Sequence, residues 1–141
     1  MTSYLGKIIA GYGVASGRAL DCPYPGGSIR LQQPFFQARG VDISGYFAGT
    51  VNVDLAPHAL YPTGDVFDGV LQWFEGLEEH FLLSTVELEV KGQVYSGLWY
   101  YPDPATKVVH FQRAAVVELL MPWIAGLTTG DIVKVTIDDK V

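Results

Sequence analysis

Thr50 and Asn52 stand two residues apart directly after Gly49, in the stretch Gly49-Thr50-Val51-Asn52-Val53-Asp54-Leu55. Side chains two apart in an extended strand project to the same side. A hydroxyl and a carboxamide on one face, beside a glycine turn, can ligate a phosphate or a magnesium ion. The same residue types also serve ordinary turn chemistry ahead of an edge strand, and spacing alone leaves both readings open. Gly26, Gly27 and Ser28 form a second candidate, either an anion nest of backbone N–H groups or a plain loop turn. Arg18 or Arg30 can stabilise a transferred phosphoryl group or lie on solvated surface. Glu118 can orient or deprotonate an attacking hydroxyl. No lysine follows a glycine loop in the Walker pattern, which excludes a P-loop enzyme.

Other chemistries find less support. His58, His80 and His110 are far apart, and none has a ligand-spaced partner. Cys22 is the one cysteine, so an internal disulfide framework and a thiolate zinc site are excluded. It reads as a thiol beside a proline turn. Glu75, Glu78 and Glu79 read as a solvated face, with a spacing that also suits a short helix turning Leu77 and Phe81 inward. Trp73, Trp99, Tyr100, Tyr101 and Trp123 can stack on a planar ring such as isoalloxazine or cytosine, or pack in a core or interface. Adjacent residues Trp99, Tyr100 and Tyr101 must alternate between the two faces of a strand, so at least one leaves the interior.

The elements that must position these residues are short and glycine-punctuated. The chain has 141 residues, 49% hydrophobic and 17% charged, which fits a single domain over 1–141 with a substantial core. Sixteen glycines and eight prolines punctuate short apolar segments, which suggests an all-β barrel or sandwich. Strands are expected over Tyr4–Val14, Thr50–Leu55, Val70–Phe74, Phe81–Val90, Gln93–Tyr101 and Ile132–Ile137, with another beginning at Val108–Phe111. Lys91-Gly92 is a two-residue hairpin turn, and Thr129-Gly130-Asp131 introduces the last strand. Ile29–Phe36 reads as strand or short helix, Ala114–Met121 as strand or helix start, and Leu60–Gly69 as loop. Net charge is −6 and the nine Lys and Arg residues are scattered, so nucleic-acid binding is not expected. A single nucleotide remains compatible, because backbone amides and a metal ion can neutralise phosphate locally. No apolar run approaches the ~20 residues of a membrane span. Met1–Gly11 does not read as a signal peptide, and cytoplasm is the default expectation.

Several of these features recur in a fixed order. They are Gly11-x-x-Val14-x-Ser16-Gly17, Gly45-x-x-x-Gly49-Thr50-Val51-Asn52-Val53-x-Leu55, His110, Glu118-Leu119-Leu120-x-Pro122 and Leu127-x-x-Gly130-Asp131-x-Val133-x-Val135. The set resembles the archaeal CTP-dependent riboflavin kinase family. The resemblance implies a six-stranded cradle-loop (RIFT-type) barrel with Greek-key-like connections and one or two short helices. It also implies phosphoryl transfer from CTP to the riboflavin 5′-hydroxyl, giving FMN. Magnesium and phosphate would then lie on Thr50 and Asn52, with Gly49 at the turn and Glu118 near the flavin or its reacting hydroxyl. The backbone around Pro122 would lie by the cytosine base. Where the family has Gly-x-Gly-Glu-Gly after Ser-Gly, this chain has Arg18-Ala19-Leu20, and Pro25-Gly26-Gly27-Ser28 is the stretch that can supply the cradle. The alternative expectation is a barrel that binds a small molecule without catalysis, or a subunit-interaction domain whose exposed aromatics meet a partner, with a homo-oligomer as one such assembly.

Overall fold

The structure, a computed structural model, describes residues 2–9, 28–47, 49–74, 77–103 and 115–138. Arg18, Cys22, Gly26, Gly27, Glu75, His110 and the strand expected to begin at Val108–Phe111 lie outside the described residues. Strand β1 (Thr2–Ile9) is followed in the described chain by helix α1 (Ser28–Ala38) and strand β2 (Val51–Asp54). Then come β3 (Phe67–Phe74), β4 (Leu77–Val90), β5 (Gln93–Pro102), β6 (Val116–Leu120) and β7 (Ile132–Ile137).

Six strands close into an antiparallel barrel in the order β4-β5-β6-β2-β1-β7, with β7 returning to β4. The chain crosses the barrel between β6 and β7, passing over β2 and β1, which makes the connections Greek-key-like. No helix of the described residues is long and apolar enough to cross a membrane.

Closure depends on β4. One of its edges pairs with β5 from Phe81↔Pro102 to Val90↔Gln93. The other edge pairs first with β3, from Phe74↔Leu77 to Phe67↔Leu83, and then with β7, from Val86↔Ile137 to Glu89↔Lys134. The C-terminal half of β4 therefore belongs to the barrel wall, and its N-terminal half carries an outer layer. Its hairpin with β5 turns at Lys91 and Gly92, both at positive φ (50° and 80°), the backbone that a two-residue turn of this kind requires.

Period-two alternation sorts the side chains into two cores. Val86, Leu88, Trp99, Val117, Leu119, Val53, Ile8, Val133, Val135 and Ile137 fill the barrel. Phe81, Leu83, Leu98, Tyr100 and Leu120 point outward instead and are covered by α1 and β3 through Ile29, Phe36, Phe67, Leu71 and Trp73. Helix α1 buries Ile29, Gln32 and Phe36 along one stripe, the spacing of a half-buried helix. The Trp99-Tyr100-Tyr101 run divides as expected. Trp99 is in the barrel and Tyr100 beneath α1, while Tyr101 packs partly buried against the barrel core, edge-on to Tyr61.

Four expectations are corrected or resolved. The Glu78–Glu79 segment is strand, not a short helix: Glu78 is exposed as a solvated face requires, but Glu79 is buried in line with Phe81 and Leu83, and its Oε1 accepts the indole N–H of Trp73 at 3.1 Å. Pairing with β3 at Leu71↔Glu79 and Phe74↔Leu77 holds that backbone extended. The loop expected to Gly69 ends earlier, at the start of β3. Ile29–Phe36 resolves to helix, and the described part of the 114–121 stretch resolves to strand, with β6 at Val116–Leu120.

Gly97 lies where β5 meets β6. A Cβ there would overlap the carbonyl oxygen of Leu120 and lie 2.7 Å from Met121 Sδ. Backbone cannot yield to such an overlap without loosening the ladder. Gly97→Ala is expected to lower stability by about 1–3 kcal/mol, read as an earlier urea midpoint.

Candidate functional site

Strand β2 lies between β1 and β6, and its second residue is in register with both. Asn52 faces Ile9 on β1 and Glu118 on β6, and Glu118 faces Tyr100 on β5. Side chains directly opposite one another on neighbouring strands have Cβ atoms about 4.5–5.5 Å apart. Val53, Val117, Leu119 and Trp99 turn into the barrel, so Asn52, Glu118 and Tyr100 turn out of it as one cross-strand row.

The turn ahead of β2 is fastened to the segment after β6. Phe47 N–H donates to the Met121 carbonyl at 2.9 Å, and Gly49 N–H donates to the Phe47 carbonyl at 2.8 Å. The rings of Phe47 and Trp123 meet with centroids 5.1 Å apart, and both remain exposed. Two stretches almost seventy residues apart, Gly49–Asn52 and Glu118–Trp123, thus form one rim. Gly49 is buried there, and Thr50, Glu118 and Pro122 are half-buried.

Asn52 is the unusual member. It is only 7% exposed, its Oδ1 accepts the Thr50 hydroxyl at 3.2 Å, and Nδ2 makes no hydrogen bond among the described residues. A buried polar group left without a partner costs about 1–3 kcal/mol. At the other end of the row, the Tyr100 hydroxyl donates to Gln32 Oε1 at 2.7 Å. Burial raises the Tyr100 pKa well above its ordinary value, and the charges of Glu79 and Glu118 raise it further, so the phenol keeps its proton.

Magnesium takes oxygen ligands at 2.0–2.1 Å in octahedral geometry, which puts two neighbouring ligand oxygens about 2.9 Å apart. Thr50 Oγ1 and Asn52 Oδ1 lie 3.2 Å apart through the hydrogen bond between them, and a metal ion taking both oxygens would replace that bond. Among the described residues no group of three or more His, Cys, Asp or Glu side chains is placed to hold a metal ion. A magnesium site here would therefore rest on Thr50, Asn52 and oxygens of the ligand.

Of the residues singled out from sequence, Gly49, Thr50, Asn52, Glu118 and Pro122 come together. Ser28 is the first residue of α1, one helical turn before Gln32. Gln32 was legible only as a polar residue within the apolar stripe of α1, and only once 28–38 is read as a helix. His80 left no trace in sequence spacing. Its Nε2 lies 2.6 Å from Asp68 Oδ1 on β3 and its Nδ1 lies 2.9 Å from Asp103 Oδ2 just past β5. His58, by contrast, packs its ring against Tyr4 at 5.0 Å.

A scan against protein-family models finds no match to this chain, and a search of curated proteins finds none either.

Both nitrogens of His80 can donate at once only in the imidazolium form. Hydrogen bonding to Asp68, then to Asp103, raises its pKa above the ordinary 6.5, with partial burial opposing. The folded protein therefore holds this proton more tightly than the unfolded chain does. The stabilisation is complete below about pH 6.5 and is lost as pH rises through the higher folded-state value. Urea midpoints should fall over that range in the native protein, and His80→Gln should flatten the slope.

Proposed function

We propose that the rim formed by Gly49, Thr50, Asn52, Glu118 and Pro122 binds a nucleotide with magnesium, and that the protein transfers a phosphoryl group from CTP to riboflavin. One observation carries this reading: a hydroxyl, a carboxamide and a carboxylate stand side by side across β2 and β6, next to a glycine turn. Phosphoryl transfer asks a protein mainly for positioning and charge neutralisation. In this reading Thr50 and Asn52 hold the metal and the phosphate oxygens. Magnesium, when bound, neutralises charge on the nucleotide phosphates. Glu118 takes the proton of the riboflavin 5′-hydroxyl as its oxygen bonds to the γ-phosphorus, and CDP leaves with the electrons of the cleaved P–O bond. Gly26 and Gly27, outside the described residues, belong to the proposal only through the resemblance.

The exposed Phe47–Trp123 pair favours a second reading, a barrel that binds a ligand or another copy of itself without catalysis. Light scattering separates the copy-binding form, because a strict monomer at all concentrations counts against it.

Calorimetry with CTP, ATP, riboflavin and FMN, with and without magnesium, tests the main reading. Heat from CTP with magnesium and from riboflavin, followed by FMN on mixing, is the expected outcome. Asn52→Ala should weaken magnesium-dependent CTP binding by on the order of 10–100-fold. It should cost no more than about 1 kcal/mol of stability, since the carboxamide it removes is only half partnered. Unfolding of this variant would make Asn52 a structural residue, and silence with all four ligands would leave the barrel without this function.

A further inference from the structure

Gln32 is 1% exposed, in the second turn of α1. Its Oε1 is committed to the Tyr100 hydroxyl at 2.7 Å, which locks the carboxamide in one orientation. Nε2, with two hydrogens to donate, makes no hydrogen bond among the described residues. So complete a burial of an unpaired donor is costly, and close-packed interiors seldom tolerate it without a partner such as a ligand or ordered water. Tyr100 ties Gln32 to the rim, since it is next to Glu118 in register and feels the charge of that carboxylate. The row therefore reads Asn52, Glu118, Tyr100, Gln32: a half-partnered carboxamide at each end and a carboxylate between. Oxygen acceptors suit both ends, and a hydroxyl or N–H suits the middle.

We infer that Gln32 is a ligand-binding residue whose Nε2 donates to an uncharged oxygen, carbonyl or hydroxyl, of the phosphoryl acceptor, and that Tyr100 is the positioning residue that aims it. This rests on the reading of the rim as the binding site. It assigns the two ends of the row separate tasks. Thr50 and Asn52 serve the nucleotide, and α1 selects the neutral partner. A group lacking the acceptor oxygen would leave Nε2 unpaired and be rejected, which is how a buried hydrogen bond discriminates between ligands.

The test compares the full-length native protein with Tyr100→Phe and with the double variant Gln32→Met/Tyr100→Phe, whose apolar replacements remove both members of the pair together. Affinities for riboflavin, and separately for CTP with magnesium, are measured by calorimetry. The double variant should bind riboflavin about 10–100-fold more weakly than Tyr100→Phe does, with CTP affinity unchanged in both. Equal riboflavin affinity in the two variants overturns the role of Gln32. A native protein that binds CTP with magnesium but not riboflavin overturns it too, while leaving the nucleotide site standing. No binding of either ligand by the native protein overturns the rim itself as the site, and the inference with it. A second readout needs no variant and is independent of whether the double variant folds. The Gln32 side-chain amide resonances in a 15N-labelled native sample should move on adding riboflavin and stay in place on adding CTP with magnesium. Unmoved resonances at saturating riboflavin overturn the inference.

Discussion

Everything in this protein depends on one strand being paired twice along the same edge. The 14 residues of β4 reach from the barrel into the outer layer. Pairing with β7 over Val86–Glu89 removes the free edges of the six-stranded sheet, and pairing with β3 over Leu77–Leu83 begins a second layer on the same backbone. Because β5 runs along the opposite edge from Phe81 to Val90, past the point where β3 gives way to β7, the two layers cannot shift relative to each other without breaking its ladder. The outer face of β4, β5 and β6 is thereby held under α1, and a second apolar core forms outside the barrel.

That second core explains why Tyr100, a polar residue of the barrel's outer face, is buried. A barrel strand normally sends alternate side chains to solvent. Here the outward positions of β2, β6 and β5 carry Asn52, Glu118 and Tyr100, and α1 adds Gln32. Buried polar groups must be paired or carry a cost, and among the described residues the two carboxamides of this row are each paired at one end only. The His80 cluster works differently. Its partners are complete, and it joins β3, β4 and the chain leaving β5 by charge-assisted hydrogen bonds. One polar cluster thus ties the outer layer together, and the other leaves two carboxamide N–H groups without a partner among the described residues.

Much of the barrel was legible because alternation and turn residues are local. The Lys91-Gly92 hairpin and the strands on either side of it follow from composition within a few residues, as does the final strand Ile132–Ile137. The Gly49-Thr50-x-Asn52 face was legible for the same reason, since a period of two places both side chains together before any tertiary contact forms. The charge cluster around Glu79 misled because three glutamates suggest solvent, whereas burial is decided by what covers a face. Pairing within β3–β4 put Glu79 on the face of Phe81 and Leu83 and gave it the Trp73 indole. His80 was silent for a related reason: Asp68 and Asp103 reach it across three segments, and no spacing rule spans such distances.

What the chain determined by itself was therefore a set of short strands, their turns, and the one-sided pairing of Thr50 with Asn52, all properties of neighbouring backbone dihedrals. Tertiary structure decided which strands became neighbours, that Glu118 would stand beside Asn52, and that Gln32 would reach Tyr100 from a helix 68 residues away. The physical reason is that closure of the sheet and coverage by α1 are cooperative. Register across β2, β6 and β5 joins segments distant in the chain, and Tyr100 and Gln32 are buried together only where the apolar stripe of α1 covers the outer face of β5.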